Sequence, residues 1–263
     1  MHFLHDLKKK RKVKKVKRLL KRLSQSGNKG VALLIDPEKG VNPRLHQVLD
    51  SPELDLILVG GSYCTGEGLE ELLREIKRIV AKVPICIFPG SQGQVSQEAD
   101  ALLFLSLLSG RNPEYLIGHQ VHAARQIHQS GLEVIPTAYI LVNNGELLSV
   151  HSVSQTLPLL NTQVQLITDT ALAGKFLGMQ CFYLDAGSGS SVAVSQEVIF
   201  EVKSLVKSPL IVGGGLDSGQ KVKMAFDAGA DLVVLGNRVE KDPSFLEEIL
   251  QIKTAYNFSL KAD

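Results

Sequence analysis

From residue 31 onward the chain repeats short, unbroken apolar runs: VALLID (31–36), LDLILVG (54–60), PICIFPG (84–90), DALLFLS (100–106), EVIPTAYIL (133–141), CFYLDAG (181–187), PLIVGGG (209–215) and DLVVLGN (231–237). Continuous rather than alternating apolar character is what a strand carries when helices cover the sheet and both of its faces are buried. Between most runs lie helical patterns. In EGLEELLREIKRIVAK (67–82), Leu69, Leu72, Leu73, Ile76, Ile79 and Val80 fall on one stripe. NPEYLIGHQVHAARQIHQSG (112–131) closes on Ser130-Gly131, a normal helix stop. A segment after SGSS, then DSGQKVKMAFDAGA (217–230) and DPSFLEEILQIK (242–253), continue the series, with Asp242 as N-cap before Pro243. SQGQVSQEA, after the third run, is too short for a full helix and reads as loop.

Eight strands at roughly 25-residue spacing predict an α/β protein, a closed (β/α)8 barrel of the TIM type. An open doubly wound sheet is the competing arrangement. The 263 residues suit one such barrel, and no break appears after residue 30. The reading is therefore an extension over 1–29 and a barrel domain over 30–263.

Charge changes the picture at the N-terminus only. Lys8 to Arg22 holds 11 of the 29 basic residues and no acid, which leaves 18 basic against 27 acidic residues elsewhere, a net of −9. Val13, Val16, Leu19, Leu20 and Leu23 are helically spaced within this leader. A basic amphipathic helix can lie on an anionic membrane, which makes peripheral membrane contact one expectation. A helix that packs its apolar stripe on the barrel is the other. Nucleic acid is not expected, because no aromatics interleave the cations. No apolar run approaches the roughly 18–20 residues of a membrane span, and the start lacks the apolar core of a secretory signal. Cys64, Cys86 and Cys181 are odd in number and scattered, so they read as reduced thiols of a cytoplasmic protein.

Candidate chemistry gathers where the runs end. Asp36, Gly60-Gly61-Ser62, Pro89-Gly90, Tyr139, Asp185 to Gly189, Gly213 to Gly215 and Gly236-Asn237 would all open on the C-terminal face of a barrel, where such enzymes keep their active sites. Gly213, Gly214 and Gly215 end the seventh run and Gly236-Asn237 the eighth. Glycine lets backbone N–H groups approach an anion, and barrels commonly build a phosphate site from these two loops. DAGSGSS (185–191) could close a third side. Asp36 and Ser62 end neighbouring runs and offer hard oxygen ligands for Mg²⁺, although Asp36-Pro37 also suits a simple turn. The seven histidines show no ligand or triad spacing, and His119 and His122 read as mid-helix surface or packing residues. No dinucleotide fingerprint follows the first run.

LLIDPEKG, VGGSYCTGEGLE, FPGSQGQVSQEADALLFLSLLSGRNPEYLIGHQV, EVIPTAYILVNNG, YLDAGSGS, IVGGGLDSG and GADLVVLGNRVEKDP together resemble the geranylgeranylglyceryl phosphate synthase family, which includes bacterial heptaprenylglyceryl phosphate synthases. The likeness runs in order from about residue 30 to 250. It implies a Mg²⁺-dependent prenyltransferase that joins a prenyl diphosphate, geranylgeranyl diphosphate-like, to the 3-hydroxyl of sn-glycerol 1-phosphate. The product is an ether-lipid precursor. It further implies a homo-oligomer, metal positions at Asp36 and Ser62, and a catalytic carboxylate at Asp185. The glycerol-phosphate residues it implies are Tyr183, Leu184, Asp185, Ala186, Gly187, Ser188 and Gly189, with Gly213, Gly214, Gly215, Gly236 and Asn237. The family loop reads Tyr-Leu-Glu-Ala-Gly-Ser-Gly, whereas Asp185 here is one methylene shorter. Asn143-Asn144 likewise stands where the family usually has an acid, and LPLLNTQVQ is less typical.

Overall fold

The computed structural model describes residues 15–61 and 66–260. Its strands are β1 (Gly30–Ile35), β2 (Leu56–Val59), β3 (Ile85–Ile87), β4 (Ala101–Leu107), β5 (Glu133–Asn143), β6 (Leu159–Leu160), β7 (Cys181–Asp185), β8 (Leu210–Gly213) and β9 (Leu232–Leu235). All pair in parallel, in the order β1-β2-β3-β4-β5-β7-β8-β9, and β9 returns to β1 through Val31↔Val233. That closure makes the eight-stranded (β/α)8 barrel that the apolar runs predict and excludes the open sheet. The extra strand β6 adds to the end of β5 at Val142 and Asn143, outside the ring.

Each barrel strand is buried on both faces, and alternate residues divide the core in two. Ala32, Leu56, Leu58, Leu103, Tyr183 and Ile211 fill the barrel interior. Val31, Leu33, Ile57, Val59, Leu184 and Val212 belong to the shell packed under the helices. This double burial is why the runs are continuous in sequence.

The helices are α1 (Lys15–Ser26), α2 (His46–Leu49), α3 (Gly66–Ile79), α4 (His119–Ser130), α5 (Ser149–Ser154), α6 (Val164–Phe176), α7 (Gln196–Val206), α8 (Gly219–Asp227), α9 (Asn237–Lys241) and α10 (Ser244–Ser259). A π-helical turn at Glu114–Gly118 leads into α4, which ends at Gly131 in the left-handed conformation (φ 68°). Asp242 Oδ1 accepts the Ser244 N–H at 3.2 Å, as its place before Pro243 implies, and α10 continues to Ser259. The 88–100 segment between β3 and β4 carries no helix, as expected. Helix α6 is not anticipated from the sequence. Apolar residues lie on several of its sides, with Leu166 and Phe176 exposed, so it has no single stripe to detect.

Helix α1 closes the N-terminal end of the barrel. Val16, Leu19, Leu20 and Leu23 are buried in the interior cluster with Ala32 and Leu232, while Arg18, Lys21 and Arg22 face outward. The Glu133 carboxylate, at the start of β5, accepts the N–H groups of Val16 and Lys17 at 3.0 and 3.1 Å. An anion there satisfies donors that the first turn of a helix leaves open. Lys203 Nζ donates to Ser24 Oγ at 2.9 Å and pairs with Asp231 at 2.5 Å, which ties the other end of α1 to α7. The apolar stripe is thus consumed by the barrel, and in the described part of the leader only a cationic face remains for a membrane surface. Val13 and the rest of residues 1–14 lie outside the described residues. Truncating Leu20, 2% exposed, to alanine is expected to cost about 2–5 kcal/mol, read as a lower denaturation midpoint in urea. Among the described residues no helix is long and apolar enough to cross a membrane. Cys86 and Cys181 are buried, unpaired thiols, and Cys64 is outside the described residues.

Candidate active site

The side chains of Cys181 and Tyr183 point into the barrel, and the two-residue period of β7 carries Asp185 to the same side at its mouth. Tyr139 is level with Tyr183 on the neighbouring strand. Its phenol donates to Asp185 Oδ2 at 2.6 Å, and the Gly187 N–H donates to Oδ1 at 2.8 Å. Burial pushes the Asp185 carboxyl above the usual carboxylate range, and these two bonds offset only part of that shift. Burial also holds the Tyr139 and Tyr183 phenols well above their ordinary value, with the nearby carboxylate adding to it. Both phenols therefore stay protonated. The rings of Phe88, Tyr139 and Tyr183 meet one another with centroids 5.3–5.6 Å apart, forming an aromatic floor beneath Asp185.

Three glycine-bearing loops converge on this carboxylate. Gly213 has no side chain where a Cβ would sit 2.5 Å from the Tyr183 hydroxyl. Gly214, at φ +77°, approaches the β7 loop so closely that a Cβ would stand 2.6 Å from Gly187 N and 2.8 Å from Asp185 Oδ1. Ser188 Oγ donates to Asn237 Oδ1 at 3.1 Å and joins the β7 loop to the one after β9. Among the described residues, the N–H groups of Ser188 and Gly189 have no protein partner, and both residues are exposed.

A cavity of ≈ 810 Å³ opens at this face. Its polar side includes Asp185, Ser188, Gly189, Gly214, Gly215, Gly236 and Asn237, with Tyr183 below. The remaining predicted residues act from behind. Leu184 and Ala186 lie in the outer core, Gly187 holds Asp185, and Gly213 makes room for Tyr183. Asp36 lines the same cavity, beside Gly61, where a Cβ would come within 2.5 Å of Asp36 Oδ1. Its carboxylate also accepts the Glu38 N–H at 3.0 Å, so the turn reading of Asp36-Pro37 holds alongside its place at the mouth. Ser62 lies outside the described residues. Lys39, Arg238 and Lys241 line the rim near Asp36, and Lys39 pairs with Glu240 at 2.6 Å. No group of three or more His, Cys, Asp or Glu residues is placed to hold a metal among the described residues.

The other side of the cavity is an apolar branch between β4 and α4, walled by Val95, Leu102, Phe104, Ala123 and Ile127. Tyr115 and His119 stand along it with ring centroids 4.7 Å apart. His119 is therefore half-buried and faces the cavity, so of the two expectations for it the packing one holds. It opens the helix after β4, so its Nδ1 reaches 3.3 Å from Gln92 Oε1 in the β3–β4 loop, while His122 is exposed. Two further residues belong to the site without an assigned role in the sequence, Tyr139 and Glu146. Tyr139 could have been found by its parity with Tyr183. Glu146 carries no local signal.

A model of the PcrB family matches residues 27–254. The chain is 41% identical over 246 residues to a geranylgeranylglyceryl phosphate synthase of Spirosoma linguale, covering 92% of this chain and 98% of that one. It is 40% identical over 229 residues to the protein of the same name from Pyrococcus horikoshii, covering 86% and 89%. Among solved structures, the (S)-3-O-geranylgeranylglyceryl phosphate synthase of Thermoplasma acidophilum, in complex with its substrate sn-glycerol-1-phosphate, superposes with a TM-score of 0.81 at 31% identity. That match covers 89% of this chain and 97% of the other.

Proposed function

Because the chain belongs to the PcrB family, we propose that it is a prenyltransferase that joins a prenyl diphosphate to the 3-hydroxyl of sn-glycerol 1-phosphate. The observation that carries this reading is a buried carboxylate set between a glycine-lined polar rim and an apolar branch of one cavity. A phosphate and an isoprenoid need those two environments side by side. The polar rim takes the glycerol phosphate, with the open N–H groups of Ser188 and Gly189 and the Asn237 side chain as donors to the anion. The apolar branch takes the prenyl chain, and the cations Lys39, Arg238 and Lys241 face the diphosphate.

Asp185 accepts the proton of the attacking hydroxyl. Tyr139 fixes its orientation, and burial raises its basicity toward the working pH. The aromatic floor of Phe88, Tyr139 and Tyr183 excludes water from beneath the reacting carbon. Holding hydroxyl and donor together in one cavity supplies much of the rate.

Asp36 fits a Mg²⁺ site of the usual sparse kind, in which one or two carboxylates share the ion with substrate phosphates. Its carboxylate faces the cavity beside Gly61, where a side chain would crowd it. Bound there, the ion would offset the diphosphate charge and ease departure of the leaving group. Replacing Asp36 with alanine is expected to lower kcat by about 10²-fold or more and to raise the Mg²⁺ needed for half-maximal rate, measured by titrating MgCl₂ into the assay. An unchanged Mg²⁺ titration would remove Asp36 from that role. The acceptor half of the proposal is tested by calorimetric titration with sn-glycerol 1-phosphate. One saturable site per chain is expected, and absence of heat at millimolar ligand would count against it.

A further inference from the structure

We propose that Glu146 is a positioning residue for the glycerol phosphate, clamping the 188–191 loop in the shape that presents its N–H groups to the anion. This role rests on the function proposed above. Gly187 (φ 94°) precedes the loop and Gly189 (φ 84°) lies within it, two positions of high backbone freedom that other contacts must fix. On one side Ser188 Oγ bonds to Asn237, and within the loop the Ser190 N–H closes a turn onto Gly187 O at 3.2 Å. On the other side stands Glu146. Its Oε2 accepts the Ser190 hydroxyl at 2.9 Å and the Ser191 N–H at 3.1 Å, and its Oε1 accepts the Ser191 hydroxyl. These donors hold the Glu146 carboxyl below the usual carboxylate range, so the clamp is ionised at neutral pH.

Glu146 is itself fixed to the strand that carries Asp185. Asn143 Nδ2 donates to Glu146 O at 3.0 Å and to Ala186 O at 3.1 Å, and the Gly145 N–H returns to Asn143 Oδ1 at 2.7 Å. A tight turn at the end of β5 thereby links the carboxylate that would take the hydroxyl proton to the loop that would take the phosphate. From the opposite side Lys221 Nζ donates to Ser191 O at 3.1 Å while pairing with Asp217 at 2.9 Å. Ser190 and Ser191 line the cavity, whereas Glu146 does not and so acts through them. A carboxylate in this place could instead compete with the phosphate for the Ser191 N–H. The two roles predict opposite changes in acceptor affinity.

The experiment compares the full-length protein with Glu146→Ala and Glu146→Gln, using calorimetry with sn-glycerol 1-phosphate and separate KM values for acceptor and prenyl donor. Glu146→Ala is expected to weaken acceptor binding roughly 10-fold and leave the donor KM unchanged, with Glu146→Gln, which keeps one acceptor oxygen, in between. Should Glu146→Ala fail to fold, Ser191→Ala removes one of the three bonds and is expected to shift acceptor KM in the same direction by less. Binding by Glu146→Ala equal to or tighter than that of the unaltered protein overturns the positioning role while the proposed function stands. No binding by the unaltered protein removes the proposed function and this role with it.

Discussion

Replacing Asp185 with asparagine is expected to lower kcat for prenyl transfer by about 10²–10⁴-fold, the range that a positioned general base supplies. The same change should make the protein more stable at neutral pH. The buried Asp185 carboxyl has a folded pKa raised above its unfolded value of about 3.9. A raised acid contributes stability that is fully present below the unfolded pKa and lost as pH rises through the folded one. Asparagine cannot ionise, so the advantage of Asp185→Asn should be absent below about pH 4 and grow as pH climbs through the raised value. Thermal unfolding at several pH values measures it. The rate of the unaltered enzyme should rise over the same interval, because only the ionised form can take the proton. A dead variant with no pH-dependent gain in stability would mean that Asp185 acts by shape rather than as a buried base.

Gly214→Ala is the second large effect. The backbone there is left-handed (φ +77°), which costs a residue with a side chain about 1–2 kcal/mol, and the new methyl would face the backbone nitrogens of Gly187 and Ala186 at 2.6 and 2.8 Å. Backbone cannot swing aside as a side-chain tip can, so the β7 loop must move and carry the Asp185 carboxylate with it. A drop in kcat/KM of about 10²-fold is expected from a displacement of that size. Gly40, also left-handed at φ +68°, has open space where its Cβ would sit, so Gly40→Ala serves as the control. It should share the conformational cost and leave the acceptor KM unchanged.

The barrel was legible because its strands are buried on both faces, which writes continuous apolar runs into the sequence. The glycine loops were legible because close backbone approach leaves only glycine, as at Gly213 and Gly214. What the chain hid depends on partners far away in sequence. The leader's apolar stripe gives no sign whether a membrane or a barrel receives it; Ala32 and Leu232 decide that. His119 reads as a helix residue until the β3–β4 loop brings Gln92 to it. Glu146 stands alone in NNGELL and becomes a site residue only when the β7 loop delivers Ser190 and Ser191, 44 and 45 positions later. That Asp185 is held by the Tyr139 phenol at the cavity wall is equally hidden, because the two lie 46 positions apart and meet only when β5 and β7 pair.

Prenyl transfer to the acceptor is measured as movement of radiolabel from sn-glycerol 1-phosphate into an organic phase, with Mg²⁺ and prenyl diphosphates of several chain lengths. Extractable label is expected only when protein, Mg²⁺ and a prenyl diphosphate are all present, with Asp185→Asn reduced about 10²-fold or more. Label that stays in water for every donor would contradict it, as would transfer that is undiminished in Asp185→Asn.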